Sequence, residues 1–136
     1  MKKVLITLAA AVAAIAPAHA MSPDRVDGEA KLARQLEGRV AGEPVNCIDL
    51  RRVRSSRIIN DTAIVYEVGS TLYVNRPRSG AESLDNWDMM VSRPFGGRLC
   101  RIDVVQLYDA SSRMMTGLVF LDKFVPYKRV KTAASR

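Results

Sequence analysis

The chain has 136 residues, a formal net charge of +7 and a single histidine, His19. This length supports one domain with one hydrophobic core, and a single histidine excludes metal centres built from several imidazoles. The sequence contains neither a phosphate-binding loop nor a dinucleotide-binding fingerprint.

Residues 1–20 have the parts of a secretory signal peptide. Two lysines form a positive start, an alanine-rich apolar run follows, and Ala18, His19 and Ala20 form a small-x-small cleavage site. The apolar run is shorter than the roughly 20 residues that span a bilayer. We therefore expect cleavage after Ala20 and a periplasmic or secreted bacterial protein with no transmembrane segment. The alternative is an N-terminal membrane anchor.

Most of the positive charge lies near the C terminus. Loss of the two N-terminal lysines would lower the net charge from +7 to +5. Residues 122–136 carry five basic side chains and one acidic side chain, a net charge of +4, which leaves +1 for residues 21–121. Residues 128–136 are predicted to be a basic, disordered tail that binds acidic surfaces weakly and in a salt-dependent manner.

The first element of the mature chain is a predicted helix of about ten residues. Leucine and alanine side chains recur at helical spacing from Gly28 up to Gly38, with Asp27 as the candidate N-cap. Residues 21–46 are therefore assigned to this helix and a connector that contains a glycine and a proline.

Residues 47–127 form the predicted β-rich domain. Residues 47–50 fit a short strand, but the spacing of the following residues favours a helical turn capped by Asp49. Three antiparallel strands joined by turn dipeptides follow, at residues 57–59, 63–68 and 71–75. The middle segment, AIVYEV, alternates as a strand with one buried face does.

The second half of the domain has a weaker pattern. Leu84, Trp87 and Met90 have helical spacing, which predicts a short helix around residues 81–90. Trp87 is then interpreted as a lid over one end of the core, and the alternative is an exposed tryptophan in a binding groove. Residues 98–108 predict a central strand covered on both faces, because both sets of alternating residues contain apolar side chains.

Together these elements predict a mainly β fold at the border of α+β. We expect a single small antiparallel sheet of about five strands, with an N-terminal helix and the short helical segment around residues 81–90.

Cys47 and Cys100 are the only cysteines. In an oxidising compartment such a pair is most simply a disulfide, which would stabilise the fold by about 4 kcal/mol by closing its loop. The alternatives are two free structural cysteines or a redox-active pair, although the Cys-x-x-Cys spacing of redox motifs is missing.

Carboxylates are the catalytic groups that remain without the histidine and the thiols. Two of them could act as an acid/base pair of the glycosidase kind, and Asp103 is the best candidate for a shifted pKa because its strand is predicted to be covered. Asp85 and Asp88 could bind a divalent cation weakly, but we predict no metal site and no cofactor. The structural alternative is salt bridging or turn capping. The candidates are Asp49, Asp61, Asp85, Asp88, Asp103 and Asp109.

The segment RRVRSSR is the candidate anion-binding site, with Arg51, Arg52, Arg54 and Arg57. Guanidinium groups bind phosphate and carboxylate groups, such as those of envelope polymers or lipid headgroups. In the structural alternative these arginines pair with acidic side chains of the sheet, namely Asp49, Glu67 and Asp103. Nucleic acid is not an expected partner of an exported protein with few tyrosines.

Three segments give the chain a resemblance to a known family. CIDLRRVRSSRIINDTAIVYEVGSTLYVNR, the pair Leu99 and Cys100, and the closing FLDKFVPY resemble, over residues 45–127, domain of unknown function 6491, a family of small exported bacterial proteins. The resemblance implies export and a similar fold, but no catalytic residue. Many members carry two further cysteines, and this chain has none near Ala81 or Val119, so the pairing of its two cysteines stays open on this ground.

We therefore expect an exported, non-catalytic protein that binds an anionic envelope component or another envelope protein. One alternative is a carboxylate-dependent hydrolase of a cell-wall polymer, which requires two aspartates about 5 to 10 Å apart in a cleft. The other is a small enzyme inhibitor that presents residues 51–57, which requires those arginines to be exposed.

Overall fold

The structure, a computed structural model, describes residues 21–131. The predicted signal peptide at residues 1–20 and the last five residues of the predicted tail lie outside this range. Within it, one α-helix, α1 (Pro23–Gln35), precedes the strands. These are β1 (Arg39–Ala41), β2 (Cys47–Asp49), β3 (Val53–Ile59), β4 (Ala63–Val68), β5 (Thr71–Asn75), β6 (Asp88–Ser92), β7 (Arg98–Cys100), β8 (Val104–Asp109), β9 (Met115–Phe120) and β10 (Phe124–Arg129).

The strands form three antiparallel groups. A large sheet has the order β1–β10–β5–β4–β3, a small sheet has the order β6–β8–β9, and a short ribbon pairs β2 with β7. The mainly β class, the five-stranded antiparallel sheet and the N-terminal helix are therefore confirmed. The small sheet and the ribbon stand beside the large sheet, where the sequence predicts a single sheet.

The large sheet is covered on both faces. On one face Leu32 of α1 is buried with Ile59, Ala63 and Val65. On the other face a larger core joins the large sheet, the small sheet and the ribbon, with side chains that include Ile48, Ile64, Tyr66, Leu99, Leu107 and Phe124. Consequently β4 buries residues on both faces, and the prediction of one buried face for it is wrong.

The helix begins earlier than predicted. Ser22 is its N-cap and Pro23 its first residue, a position that suits proline because the missing N–H has no intrahelical partner there. Asp27 therefore lies inside α1 and does not cap it. Gly28, the predicted start, is buried against the turn between β3 and β4, close to Asn60 and Thr62.

The predicted helix over residues 81–90 is wrong. Residues Ala81–Ser83 form one 3₁₀ turn, and β6 begins at Asp88. The segment DMMVS fits a strand as well as a helix, and β8 provides a partner for five of its residues. Met90 packs against the core, whereas Trp87 is 78% exposed, so the interpretation of Trp87 as a lid is also wrong.

The predicted strand at residues 98–108 is two strands. A turn at residues 101–103 separates β7 from β8, and the Asp103 backbone N–H donates to the Cys100 carbonyl across it. The central position of β8 is confirmed, but its burial is one-sided: Val105 and Leu107 are buried, while Val104, Gln106 and Tyr108 are partly exposed.

The last strand continues two residues into the predicted disordered tail. Lys128 and Arg129 belong to β10 and pair with Val40 and Arg39 of β1, a strand that the sequence does not predict. Backbone pairing at a sheet edge needs no buried side chains, and charged edge strands are common. The predicted disordered tail is therefore wrong for these two residues.

Candidate anion-binding pocket

The Cys47–Cys100 disulfide predicted from the sequence is present, with an S–S distance of 2.01 Å. The two cysteines face each other in the ribbon, and the register places Asp49 opposite Arg98. Residues Leu50–Arg52 then form a 3₁₀ turn, capped by the Asp49 carboxylate, which accepts from the Arg51 backbone N–H at 3.0 Å. The predicted capped turn is thus confirmed, directly after a short strand at Cys47–Asp49.

A pocket of about 330 Å³ lies beside the disulfide, and we call it the arginine pocket. Val68 at the end of β4 and Tyr73 in the middle of β5 contribute to its wall, as do the two arginines Arg52 and Arg98. Both arginines are anchored next to the disulfide, one by the 3₁₀ turn and the other by β7. Its lining residues are Val45, Cys47, Ile48, Asp49, Arg52, Val68, Tyr73 and Arg98.

The one carboxylate of this pocket is already engaged. Asp49 accepts from Arg51 Nε at 3.0 Å and from Arg51 Nη2 at 2.9 Å, in addition to the backbone N–H. These hydrogen bonds from Arg51 lower the pKa of Asp49 and keep it ionised. Within residues 21–131, neither Arg52 nor Arg98 has a carboxylate oxygen within 4.0 Å. The pocket therefore presents two guanidinium groups whose charge is not neutralised by an ion pair.

The four predicted anion-binding arginines do not act as one group. All four are exposed, but Arg51 pairs with Asp49, and Arg57 approaches Glu67 at 3.5 Å. Only Arg52 lines the arginine pocket, and Arg54 extends from β3.

Arg98 is the pocket residue that the sequence did not reveal. Its position follows from the disulfide: in an antiparallel pair with Cys47 opposite Cys100, residue 98 must face residue 49. The proximity of Arg98 to Asp49 could therefore have been predicted from the disulfide, if both cysteine segments had been assigned to strands.

A second depression is lined by several of the candidate carboxylates, and we call it the acidic cleft. It has a volume of about 500 Å³ and lies between the β3–β4 turn and one end of the small sheet. Four of the six candidates line it: Asp61, Asp85, Asp88 and Asp109. Asp24 and Glu82 lie there as well, and among the described residues Leu84 is its only apolar lining residue.

Local hydrogen bonds engage three carboxylates of the acidic cleft. Asp88 faces Asp109 across β6 and β8 and accepts from Thr116 Oγ1. Asp85 accepts from the Trp87 backbone N–H at 2.9 Å. Hydrogen bonds from Ser111 and Ser112 lower the pKa of Asp109 to about 2. The contacts of Asp85 and Asp109 are of the turn-capping kind that the structural alternative predicts, whereas Asp88 bonds a side chain of β9.

Asp103, which lies outside the acidic cleft, has a structural contact too. Asp103 accepts from the Cys100 backbone N–H at 2.7 Å and so fixes the turn between β7 and β8.

Burial raises the pKa of Tyr66, which lies in the core against Phe124. In residues 21–131, no group of three or more His, Cys, Asp or Glu side chains is arranged to hold a metal ion.

Comparisons with known proteins add no relative. No protein-family model matches the chain, and comparison with the curated proteins and with the solved structures gives no match either. The resemblance to domain of unknown function 6491 therefore stays a prediction. Among residues 21–131, no helix is both long and apolar enough to cross a membrane.

Proposed function

We propose that this protein is exported to the bacterial envelope and binds, without catalysis, an anionic ligand in the arginine pocket. The observation that carries the proposal is the presence of Arg52 and Arg98 in one pocket, with no carboxylate of residues 21–131 within 4.0 Å of either. Export rests on the signal-peptide pattern of residues 1–20.

The lining of the pocket defines the chemistry of the ligand. Two guanidinium groups favour a phosphate or carboxylate group, which accepts charge-assisted hydrogen bonds. The valine, isoleucine and tyrosine side chains beside them favour an apolar portion next to that anion. The volume of about 330 Å³ is at the lower end of the range for small-molecule pockets, about 300 to 1,000 Å³. An anionic headgroup with a short apolar segment fits these properties, as an envelope lipid or a decorated polymer would supply.

Titration calorimetry with three probes tests this proposal. Inorganic phosphate supplies charge alone, hexyl phosphate supplies charge with an apolar chain, and hexyl glucoside supplies the chain without charge. We expect hexyl phosphate to bind most tightly at low salt, phosphate more weakly, and hexyl glucoside not to bind measurably. Raising the salt concentration should weaken the binding of both anions, because ions screen partly exposed charges.

Substitutions of single arginines test whether hexyl phosphate binds in the arginine pocket. Arg52→Ala and Arg98→Ala should each weaken hexyl phosphate binding by about 10-fold, the loss expected for one charge-assisted hydrogen bond. Arg54→Ala is the matched control, because it removes an exposed arginine of the same segment that does not line the pocket. Failure of both anions to bind, or equal loss in all three variants, would contradict the proposal.

The acidic cleft favours one second candidate, a carboxylate-dependent hydrolase of a cell-wall polymer. Asp88 and Asp109 face each other on neighbouring strands, so their Cβ atoms are about 5 Å apart. Glycoside hydrolysis also needs one carboxyl group that stays protonated, which apolar surroundings promote. The cleft has a single apolar lining residue, and for this reason we rank this candidate second. Release of soluble fragments from purified peptidoglycan, abolished by Asp88→Asn, would reverse the ranking.

A further inference from the structure

One large apolar side chain is almost fully exposed. Phe95, in the loop between β6 and β7, is 98% exposed, and no other large apolar side chain of residues 21–131 exceeds 78%. A phenylalanine buries about 150 to 250 Å² when it is covered. The ring of Phe95 therefore makes almost no contact with its own chain and is free to enter another apolar phase.

The backbone around Phe95 forms a defined turn in open solvent. Pro94 precedes the ring with φ −71°, and Gly96 and Gly97 follow it with φ +68° and +75°, in the left-handed region that favours glycine. A Cβ at position 96 would meet no atom within 4 Å. A Cβ at position 97 would lie 4.0 Å from Arg51 Nε. The ring thus stands at the tip of a turn with a basic side chain next to it.

The segment that carries Phe95 is basic. Residues 93–102 contain three exposed arginines and no acidic residue, and none of the three has a carboxylate oxygen within 4.0 Å in residues 21–131. Arg93 and Asp103 line one depression of about 240 Å³, so the two ends of the segment lie close together. The three arginines are Arg93, Arg98 and Arg101.

Two carboxylates are joined to this segment by strand pairing or by sequence, and they do not cancel its charge. Asp49, opposite Arg98, is paired with Arg51. Asp103 accepts from a backbone N–H of β7. With Arg51, four guanidinium groups stand against these two carboxylates, a net charge of +2. The acidic cleft lies at the other end of β6, and a strand of five residues is roughly 17 Å long, beyond the Debye length of about 8 Å at physiological salt.

An apolar tip among basic side chains matches the surface of an anionic bilayer, where aromatic rings enter the boundary between headgroups and acyl chains and arginines bind phosphates. We propose that this loop is the contact of the protein with an anionic membrane surface: Phe95 inserts below the headgroups, and the three arginines of residues 93–102 lie at the level of the phosphates. One ring and three arginines give reversible binding, with an association constant on the order of 10⁴ M⁻¹, similar to that of a single acyl chain.

The membrane contact is separate from the arginine pocket. Phe95, Arg93 and Arg101 do not line that pocket, and Arg98 is the one residue common to both sites. The proposal takes export from the proposed function, because export brings the protein to a lipid surface of the envelope. Phe95→Ser should therefore leave hexyl phosphate affinity unchanged.

Co-sedimentation with vesicles tests the binding, with protein produced from the full 136-residue chain. We expect at least half of the protein to bind, at low salt and about 1 mM lipid, to vesicles of phosphatidylcholine and phosphatidylglycerol in equal parts. Binding to phosphatidylcholine alone should be far weaker. Phe95→Ser should weaken binding to the anionic vesicles by about 10-fold or more. Arg93→Ala and Arg101→Ala should each weaken it by about 5-fold.

Two matched variants control for the loss of any exposed aromatic or basic side chain. Trp87→Ser removes another strongly exposed aromatic, which Asp85 and Asp88 of the acidic cleft flank. Arg34→Ala removes an exposed arginine of α1, which packs on the other face of the large sheet. Both variants should bind the anionic vesicles as the wild type does. Circular dichroism of each variant checks that it is folded.

A tryptophan reporter locates the contact. Trp87 is the only tryptophan, so Trp87→Phe combined with Phe95→Trp moves the fluorophore to the tip of the turn. Its emission should shift to shorter wavelength when anionic vesicles are added, because the ring leaves water. The emission of the wild type, which comes from Trp87, should not change. A shift in the wild type alone would place the contact at the other end of β6 and overturn the proposal.

The two binding assays separate this proposal from the proposed function. Failure to bind anionic vesicles at about 1 mM lipid, with hexyl phosphate binding retained, overturns the membrane contact and leaves the arginine pocket in place. Vesicle binding without hexyl phosphate binding supports the membrane contact and contradicts the proposed function. Vesicle binding that survives Phe95→Ser overturns the membrane contact, and so does binding of an acidic envelope protein by this loop in the absence of any vesicle binding.

Discussion

The charged side chains around the two ends of β4 have opposite signs, and they differ in the contacts that they make. The arginine pocket includes Val68 at one end of the strand, and the acidic cleft includes Asn60 and Asp61 just before the other end, roughly 20 Å away for a strand of this length. The summed charge of +1 over residues 21–121 conceals this separation.

The difference lies in the partners of the charged groups. At the acidic end Asp85, Asp88 and Asp109 accept hydrogen bonds from neighbours, and these contacts fix turns and strand ends. At the basic end Arg52 and Arg98 line a pocket and have no ion-pair partner among residues 21–131. A charge that holds the fold together is not free to bind a ligand, so Arg52 and Arg98 are better candidates for ligand binding than Asp85, Asp88 and Asp109 are.

The largest expected effect comes from removing the disulfide, which supports the basic end. Cys47→Ala combined with Cys100→Ala frees a loop with a sequence separation of 53 residues. We expect the free energy of unfolding to fall by about 4 kcal/mol, measured by urea denaturation. Hexyl phosphate binding should be lost as well, because the ribbon that positions Arg98 is no longer held. A folded double variant with unchanged affinity would show that the ribbon does not position the site.

A smaller effect is expected from Gly28→Ala. This substitution disturbs the packing of α1 against the β3–β4 turn, which forms one side of the acidic cleft. A Cβ at position 28 would come 2.5 Å from the Asn60 carbonyl oxygen and closer still to Thr62 Oγ1, and Thr62 is buried. Alanine improves helix propensity by about 1 kcal/mol. Overpacking costs about 1 to 3 kcal/mol, so we expect a net loss of stability in urea denaturation.

An exposed position of the same helix provides the control for this substitution. Lys31→Ala changes α1 without adding a group at the buried contact and should leave the stability nearly unchanged. Higher stability in Gly28→Ala would mean that α1 moves easily over the Asn60–Thr62 turn.

The sequence predicts well what depends on neighbouring residues. The strands over residues 63–68 and 71–75 have the predicted bounds, because alternation and a glycine-containing turn define a hairpin locally. The pairing of β1 with β10 was missed because it joins residues almost 90 positions apart and leaves its charged side chains in solvent. Burial was also misjudged: β4 proved covered on both faces and β8 on one, which depends on where α1 and the small sheet pack.

The candidate site was predicted only in part, for the same reason. Arg52 belongs to a visible cluster, whereas Arg98 and Tyr73 reach the pocket through the ribbon register and the hairpin. The sequence also could not separate the arginines that are paired from those that are not, since this depends on rotamers and on the 3₁₀ turn at Leu50–Arg52.

A pH titration tests the structural role of the acidic end. The folded pKa of Asp109 is about 2, below its ordinary value of 3.8, so its ionised form stabilises the fold. This contribution is fully present above about pH 4 and is lost as the pH falls towards 2. In urea denaturation, the stability difference between wild type and Asp109→Asn should therefore be constant near neutral pH and shrink between pH 4 and 2. A difference that does not change with pH would mean that the ionised carboxylate is not the stabilising form.

The smallest expected effect comes from adding a third unpaired guanidinium group to the arginine pocket. Asp49→Asn keeps an oxygen that can accept from the Arg51 backbone N–H, and so preserves the cap, but it removes the ion pair. The Arg51 side chain is 78% exposed and is then free to turn towards a bound anion. We expect hexyl phosphate affinity to rise about 3-fold, a gain typical of one exposed charge. Glu67→Gln is the control, because it releases Arg57, which does not line the pocket. If Asp49→Asn binds hexyl phosphate no more tightly than Glu67→Gln does, the ion pair of Arg51 does not limit binding. The difference in ion pairing between the two ends of β4 would then not explain which end binds a ligand.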